Sequence, residues 1–138
     1  MGTLNGIDLK QLVCNDQFNP RWESYELKAL GPKEVRVQSQ LTAAKHGTEH
    51  SELLGKAIYI ESPYLGDKKI FDRSTVNKPD TSRWSGVGNT TVGLVIETGA
   101  EVEGIKVGDQ VWGYGGFRSI HQGSHFRLMA DGFTPEAA

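Results

Sequence analysis

The clearest pattern along the chain is an alternation of apolar and polar side chains with a period of two. It runs through VRVQSQL at positions 35–41, and such a period is typical of a half-buried strand. The run TVGLVIE at 91–97 is almost continuously apolar and predicts a buried strand. Two further runs, at 107–116 and 125–129, have the apolar content and turn signals of strands. The pattern therefore predicts a chain that is mainly β.

The N-terminal half is less regular. Positions 4–19 show weak periodicity and are predicted to form an irregular lead-in or an edge strand. Positions 22–30 alternate imperfectly and end at the turn signal Gly31-Pro32. The run 55–85 has no clear period, and a loop of that length in a compact domain is typically functional or disordered. Its isolated aromatic side chains argue against full disorder.

Short helices are predicted from capping residues. Thr48 is a suitable N-cap for a helix over 49–54, which Gly55 would end. Thr134 followed by Pro135 would begin another helix. Because the sequence ends within that second helix, we expect the chain to be a truncation.

The composition fits one domain, over residues 1–138. There are 15 Lys and Arg against 17 Asp and Glu, a formal charge of -2, so no nucleic-acid partner is expected. No apolar run approaches the ~18 residues of a membrane helix, and the start has no signal pattern, so we expect a cytoplasmic protein with no membrane partner. The single cysteine, Cys14, excludes an intramolecular disulfide or a cysteine zinc cluster.

The densest group of reactive side chains is KHGTEH at positions 45–50. Its part HGTEH matches H-x-x-E-H, in which two histidines of one helix bind zinc and the glutamate acts as the base. Gly47 disfavours a helix at this place. A zinc hydrolase through this segment therefore stands as an alternative to a polar turn with solvated histidines.

The glycine-rich segments do not match a nucleotide-binding motif. Gly86-Val87-Gly88 begins like G-x-G-x-x-G, but Thr91 stands where the third glycine is required. The run GYGGF at 113–117 fails as well. No dinucleotide is therefore expected to bind this chain through such a loop.

Four short segments, taken in order, carry a resemblance to a known family. The segment 34–49 runs from EVRVQ into AAKHGTE, and 87–99 reads VGNTTVGLVIETG. Farther along, 102–111 reads VEGIKVGDQV and 130–138 reads ADGFTPEAA. They resemble the two catalytic-domain signatures, the turn and strand that follow, and the passage into the nucleotide-binding domain of the medium-chain dehydrogenase/reductase family, which is alcohol dehydrogenase-like.

The resemblance implies a GroES-like fold, a partly open β-barrel, and the N-terminal catalytic domain of an NAD(P)-dependent oxidoreductase. The nucleotide-binding domain would be absent from this chain and would be its missing partner. NAD(P)H is expected in the full-length protein and is not expected to bind this chain alone, which we expect to be inactive by itself. The substrate would be a small molecule, and a homo-oligomer is possible.

Departures from the family pattern concern the metal. Where zinc members carry a cysteine ligand this chain has His46, and where they carry His-Glu it has Asn89-Thr90. The four-cysteine structural zinc lobe of the family is missing. The resemblance is therefore to zinc-free reductases, and no metal ligand is assigned.

Candidate site residues follow from this resemblance and from the chemistry of the side chains. The candidate catalytic residues are His46, Thr48, Glu49 and Asn89, which would donate hydrogen bonds or move a proton at the substrate oxygen. The candidate substrate-binding residues are Lys45, Tyr59, Tyr64 and Trp84. Helix capping by Thr48, a solvated Glu49 and packing by the aromatic side chains are the structural alternatives. A further alternative is a stand-alone GroES-like binding module whose irregular loop grips a partner.

Overall fold

The computed structural model describes residues 2–15, 19–54, 62–74, 82 and 84–130, and the fold is mainly β. One helix lies in the described part of the chain. In order, the elements are β1 (Thr3–Leu4), β2 (Ile7–Asp8), β3 (Lys10–Asn15), β4 (Pro20–Ser24), β5 (Val35–Ala43), α1 (His46–Leu53), β6 (Tyr64–Leu65), β7 (Ile70–Phe71), β8 (Trp84–Gly86), β9 (Thr90–Thr98), β10 (Gln110–Tyr114), β11 (Ile120–Gly123) and β12 (Arg127–Leu128).

The largest sheet has five antiparallel strands in the order β11-β5-β9-β10-β12. The predicted strands at 35–41 and 91–97 are its two long members, β5 and β9. Their alternating side chains bury one face of the sheet, and the main hydrophobic cluster consists of Val35, Val37, Val95, Val111 and Phe126. This cluster is the packing surface that the sequence pattern predicts.

A bulge bends β5 where it crosses β9. The register between the two strands shifts between Ser39 and Leu41, opposite Gly93. A Cβ at Gly93 would collide with the carbonyl oxygen of Gln38, so only glycine allows the two backbones to approach so closely. The bulge sets the direction in which β5 continues toward helix α1.

A second sheet has three strands in the order β4-β3-β8, with β3 in the centre. The prediction of an irregular lead-in or edge strand at 4–19 is therefore wrong for β3. Its weak periodicity hides a strand that buries Val13 and Cys14. Backbone bonds join β3 to the loop before β11, because Leu12 N–H donates to the Phe117 carbonyl at 2.8 Å.

Helix α1 begins at His46, so Thr48 is its third residue and not its N-cap. Gly47 lies within the helix, contrary to the expectation from its low propensity. The run 55–85 includes the hairpin β6–β7 and strand β8. The remainder of that run, at 55–61, 75–81 and 83, and the helix predicted from Thr134, lie outside the described residues.

The chain thus has the mainly β, partly open arrangement that the GroES-like resemblance implies. No helix of the described residues has both the length and the apolar composition needed to cross a membrane.

Candidate functional site

Glu49 ties the start of helix α1 to the turn between β8 and β9. Its Oε2 accepts a hydrogen bond from the Lys45 backbone N–H at 3.0 Å, and its Oε1 accepts one from the Gly88 N–H at 2.6 Å. The Glu49 side chain is buried, with 9% of its surface exposed. A carboxylate in the first turn also interacts favourably with the helix dipole. These bonds replace the capping role predicted for Thr48, and they allow the helix to begin at His46.

Gly88 brings the backbone of that turn against the loop that follows β10. Its φ is +105°, a conformation that favours glycine. A Cβ at this position would lie 2.7 Å from both the Gly116 Cα and the Phe117 nitrogen. Beside it, Phe117 N–H donates to the Val87 carbonyl at 2.6 Å. The turn is therefore closed on one side by Glu49 and on the other by Gly116.

The backbone of Asn89 bonds both to the end of β5 and to the loop after β10. Its N–H donates to the Ala43 carbonyl at 2.9 Å, at the end of β5, and its carbonyl accepts the Gly115 N–H at 3.0 Å. Its side-chain Oδ1 accepts a weak hydrogen bond from the Thr90 hydroxyl at 3.3 Å. The end of β5, the start of α1 and the start of β9 thus meet, and we call the group Lys45, His46, Glu49, Gly88 and Asn89 the helix corner.

The cationic and imidazole side chains of α1 are on the surface. Lys45, His46 and His50 are all exposed. The rings of His46 and His50 stack with their centroids 5.9 Å apart, so both histidines share one helix face. His46 is therefore accessible to a molecule that approaches the helix corner from solvent.

This arrangement differs from the site of an H-x-x-E-H hydrolase. The helix and the two histidines on one face are present, but both oxygens of Glu49 already accept backbone N–H groups. A carboxylate held in this way is a structural link and not a base beside a metal-bound water. The described residues contain no group of three or more His, Cys, Asp or Glu side chains that would hold a metal ion.

The candidate substrate-binding aromatics contact different partners in different sheets. Tyr64 is 56% exposed and packs edge-on against Phe71 across the β6–β7 hairpin, with ring centroids 5.1 Å apart. Trp84 is half-buried in β8, where the Arg21 guanidinium carbon lies 3.6 Å from its ring centroid. Tyr59 lies outside the described residues.

Three groups that the sequence pattern did not single out lie next to the helix corner. Arg118, His121 and His125 line a cleft together with Gly88 and residues of the loop after β10. His121 is buried, and burial together with the positive charge of Arg118 lowers its pKa to about 4. The signal available in the sequence is one arginine and two histidines directly after the double glycine of GYGGF.

The fold is shared with solved structures of two oxidoreductases. A mainly β domain of this topology is shared with 2R,3R-butanediol dehydrogenase from Bacillus subtilis, at a TM-score of 0.62 and 19% identity, covering 93% of this chain and 42% of that one. It is also shared with quinone oxidoreductase from Escherichia coli in complex with NADPH, at a TM-score of 0.58 and 12% identity, covering 91% of this chain and 34% of that one.

The sequence has a nearer relative among characterised proteins. It is 30% identical over 109 residues to D-guloside 3-dehydrogenase from Escherichia coli K12, which covers 78% of this chain and 31% of that enzyme. No family model matches the chain. The resemblance to the medium-chain dehydrogenase/reductase family is nevertheless confirmed. The chain spans about a third of the length of the curated relatives that it matches.

Proposed function

We propose that this chain is the substrate-binding and catalytic part of an NAD(P)-dependent dehydrogenase that interconverts a secondary hydroxyl and a ketone on a sugar-like polyol. The relationship to D-guloside 3-dehydrogenase carries the proposal. The helix corner supports it, because the exposed imidazole of His46 is at the start of α1 and the half-buried amide of Asn89 directly precedes β9, and these two elements meet there. Such groups are suited to a reaction that moves one proton at an oxygen atom.

Each residue of the helix corner has a role in this proposal. His46 accepts the hydroxyl proton during oxidation and returns it during reduction, and Thr48 remains a proposed catalytic residue. The Asn89 amide and the Lys45 ammonium donate hydrogen bonds to the substrate oxygen while charge develops there. Glu49 holds α1 against the β8–β9 turn and is a positioning residue. The aromatic residues Tyr59, Tyr64 and Trp84 remain proposed contacts for the substrate.

The turn at 86–88 does not fit a dinucleotide. The Gly88 N–H already donates to Glu49, and the space beside Gly88 is filled by Gly116. A nicotinamide cofactor would therefore depend on polypeptide beyond this chain, which spans about a third of the length of its curated relatives. The hydride chemistry belongs to that cofactor when it is bound.

We propose that the reaction does not use zinc. A catalytic zinc site has three protein ligands, and the helix corner offers one exposed imidazole and an amide in the places where zinc-dependent members of the family carry cysteine and histidine. A hydrogen-bond network would then replace the Lewis acid. Incubation of the full-length protein with a chelator is expected to leave its activity unchanged, and loss of activity that zinc restores would refute this part.

The test uses the full-length protein encoded by the gene that contains this chain. Oxidation of methyl D-guloside is followed by the absorbance of NADH or NADPH, one cofactor at a time. We expect His46→Gln to lower kcat about 100-fold or more, because it removes an acid–base group. The matched control is His50→Gln on the same helix face, which should retain the wild-type rate. Equal rates for the two variants, or no reduction of either cofactor, would overturn the proposal.

A further inference from the structure

A cleft of about 310 Å³ lies beside the helix corner. Its walls come from the end of β8 and the turn before β9, the end of β10 and the loop that follows it, strand β11, and the two residues Gln11 and Leu12 of β3. We name it the arginine cleft, after its residue Arg118. It shares Gly88 with the helix corner but includes none of His46, Glu49 and Asn89.

The basic side chains of the arginine cleft are not balanced by acidic ones. Arg118, His121 and His125 line it, and no Asp or Glu is among the described residues in its walls. The ion pairs formed within the described part of the chain involve Lys10, Arg21, Lys33 and Arg36, and not Arg118. This positive cleft lies on a chain whose formal charge is -2, so it is a local feature and not the consequence of a basic surface.

Arg118 is held in place by neutral partners. Its Nε donates to Gln11 Oε1 at 3.1 Å, and its Nη2 donates to the same oxygen. The guanidinium carbon lies 4.6 Å from the Tyr25 ring centroid. A guanidinium has five N–H donors, so this anchoring leaves donors available while the charge is not neutralised.

His121 presents a buried imidazole to the same cleft. It is 6% exposed, and its Nε2 donates to the Gly116 carbonyl at 3.1 Å, because a carbonyl oxygen only accepts. Its other nitrogen faces Gly115, where a Cβ would lie 2.9 Å from Nδ1. His125 is exposed, its Nε2 donates to the Tyr114 carbonyl at 2.8 Å, and its Nδ1 faces Gly123, where a Cβ would lie 2.7 Å away. In both rings Nδ1 becomes an additional donor when the ring is protonated.

We propose that the arginine cleft binds an oxyanion, a carboxylate or a phosphate group of a small molecule, with Arg118 as the charge and His121 and His125 as hydrogen-bond donors. A planar guanidinium with free donors matches the geometry of both anions. Binding would supply the negative charge that the walls lack. The proposal goes beyond hydride transfer and does not rest on it, although the shared Gly88 would bring the anionic end of a substrate next to the helix corner.

The bound anion should draw a proton onto His121. Arg118 from the loop before β11 and His125 after β11 act on the charge of this imidazole. Tyr114 lines the same cleft, Arg118 stacks on the Tyr25 ring, and Glu49 accepts a hydrogen bond from Gly88 in the cleft wall. The arginine and His125 oppose protonation of His121 in the free protein. An anion reverses that balance, so its binding should strengthen as the pH falls below neutrality and should raise the pKa of His121.

The test is a titration of the 138-residue chain with inorganic phosphate, and separately with acetate, at constant ionic strength. The observable is the NMR signal of the histidine imidazoles. A saturable shift of the His121 signal that strengthens as the pH is lowered supports the proposal. The tighter of the two probes identifies the group: phosphate for a phosphorylated ligand and acetate for a carboxylated one.

Two variants remove the charge in different ways. Arg118→Gln deletes it, and Gln11→Glu places a carboxylate on the guanidinium without removing the arginine. Each should weaken binding about tenfold or more, as expected for the loss of a charge-assisted hydrogen bond. The control, Arg127→Gln in the exposed edge strand β12, should bind as the wild type does. No saturable shift with either probe, or equal affinity in all the proteins, would overturn the proposal.

Discussion

Two pairs of histidines with the same spacing differ in this protein, because only the second pair contains a buried ring, that of His121. His46 and His50 stack on an exposed face of helix α1. His121 and His125 also lie four positions apart, but His121 is within strand β11 and His125 follows the end of that strand. Both rings of this second pair bond to backbone carbonyls, and His121 is buried.

The comparison contrasts imidazoles that solvent can reach, on α1, with a buried imidazole, that of His121. The exposed pair can meet a substrate and exchange a proton with solvent, which is what an acid–base group requires. In the second pair, by contrast, His121 is confined beside a positive charge, and this depresses its pKa. The sequence spacing is the same, so the difference comes from the elements that carry the histidines and from Gly88, whose backbone lies between the two regions.

The largest expected effect comes from breaking the contact that Gly88 makes between these regions. In Gly88→Ala, the methyl group would overlap the Gly116 backbone at 2.7 Å and the residue would keep φ at +105°. We expect a loss of about 4 kcal/mol in the free energy of unfolding, from backbone strain and steric overlap together. Urea unfolding followed by circular dichroism measures it.

Gly104→Ala is the matched control for that substitution. Gly104 also has positive φ, at +74°, but its Cβ would meet no atom within 4 Å. The control should therefore lose only about 1 kcal/mol, the conformational part of the cost. If both variants lost the same amount, the close approach of Gly88 to Gly116 would have no energetic importance.

The buried member of the second pair, His121, should make stability depend on pH. Burial and Arg118 lower the pKa of His121 from 6.5 to about 4, so the folded state resists a proton that the unfolded chain accepts. The contribution of His121 to the free energy of unfolding is then complete above about pH 6.5. It is lost as the pH falls toward 4, by up to about 3 kcal/mol. Unfolding curves across this window should show the loss, and His121→Gln should remove most of it.

An exposed histidine on α1 is the control for this pH effect. His50→Gln changes an exposed residue on another element, so the loss of stability assigned to His121 should persist in this variant. Glu34 is a separate contributor, because the Gly31 N–H lowers the pKa of its carboxyl, but that group acts below its ordinary pKa of 4.5. A slope that is identical in wild type and His121→Gln would mean that His121 is not confined as described.

A smaller effect is expected at the link between the helix and the turn. Glu49→Gln keeps the size of the side chain but places an NH₂ group against one of the two N–H donors, at Lys45 or Gly88. We expect a loss of about 2 kcal/mol, as for a buried donor left without its acceptor. Glu101→Gln, on the surface, should cost nothing measurable. Equal stability of the two variants would contradict the linking role of Glu49.

The parts that the sequence predicts are those set by local periodicity. Strands β5 and β9 follow from alternation over 35–41 and from the apolar run 91–97, because one face of each is buried. Strand β3 does not follow, since its central position depends on pairing with β4 and with the distant β8. That pairing has no signal in the KQLVCN segment itself.

The same limit applies to the candidate site. The motif KHGTE points to His46 and Glu49, yet the start of the helix at His46 depends on the bond from Gly88, which is distant in sequence. Helix propensity at Gly47 is outweighed by that tertiary contact. The burial of His121 is likewise set by Gly115, which leaves room for its ring, and by the Gly116 carbonyl, which accepts a hydrogen bond from its Nε2.

The smallest expected effect on stability should accompany the largest one on activity. His46→Gln changes an exposed side chain, so the free energy of unfolding should change by less than about 0.5 kcal/mol. In the full-length protein the same substitution should lower kcat while leaving KM nearly unchanged, because it removes a group that acts on the proton and not on binding. Paired measurements of unfolding and of kcat on the same preparation test this. If His46→Gln instead destabilised the domain by as much as Glu49→Gln, the two histidine pairs would differ less than their burial indicates, and His46 would be a structural residue of the helix corner.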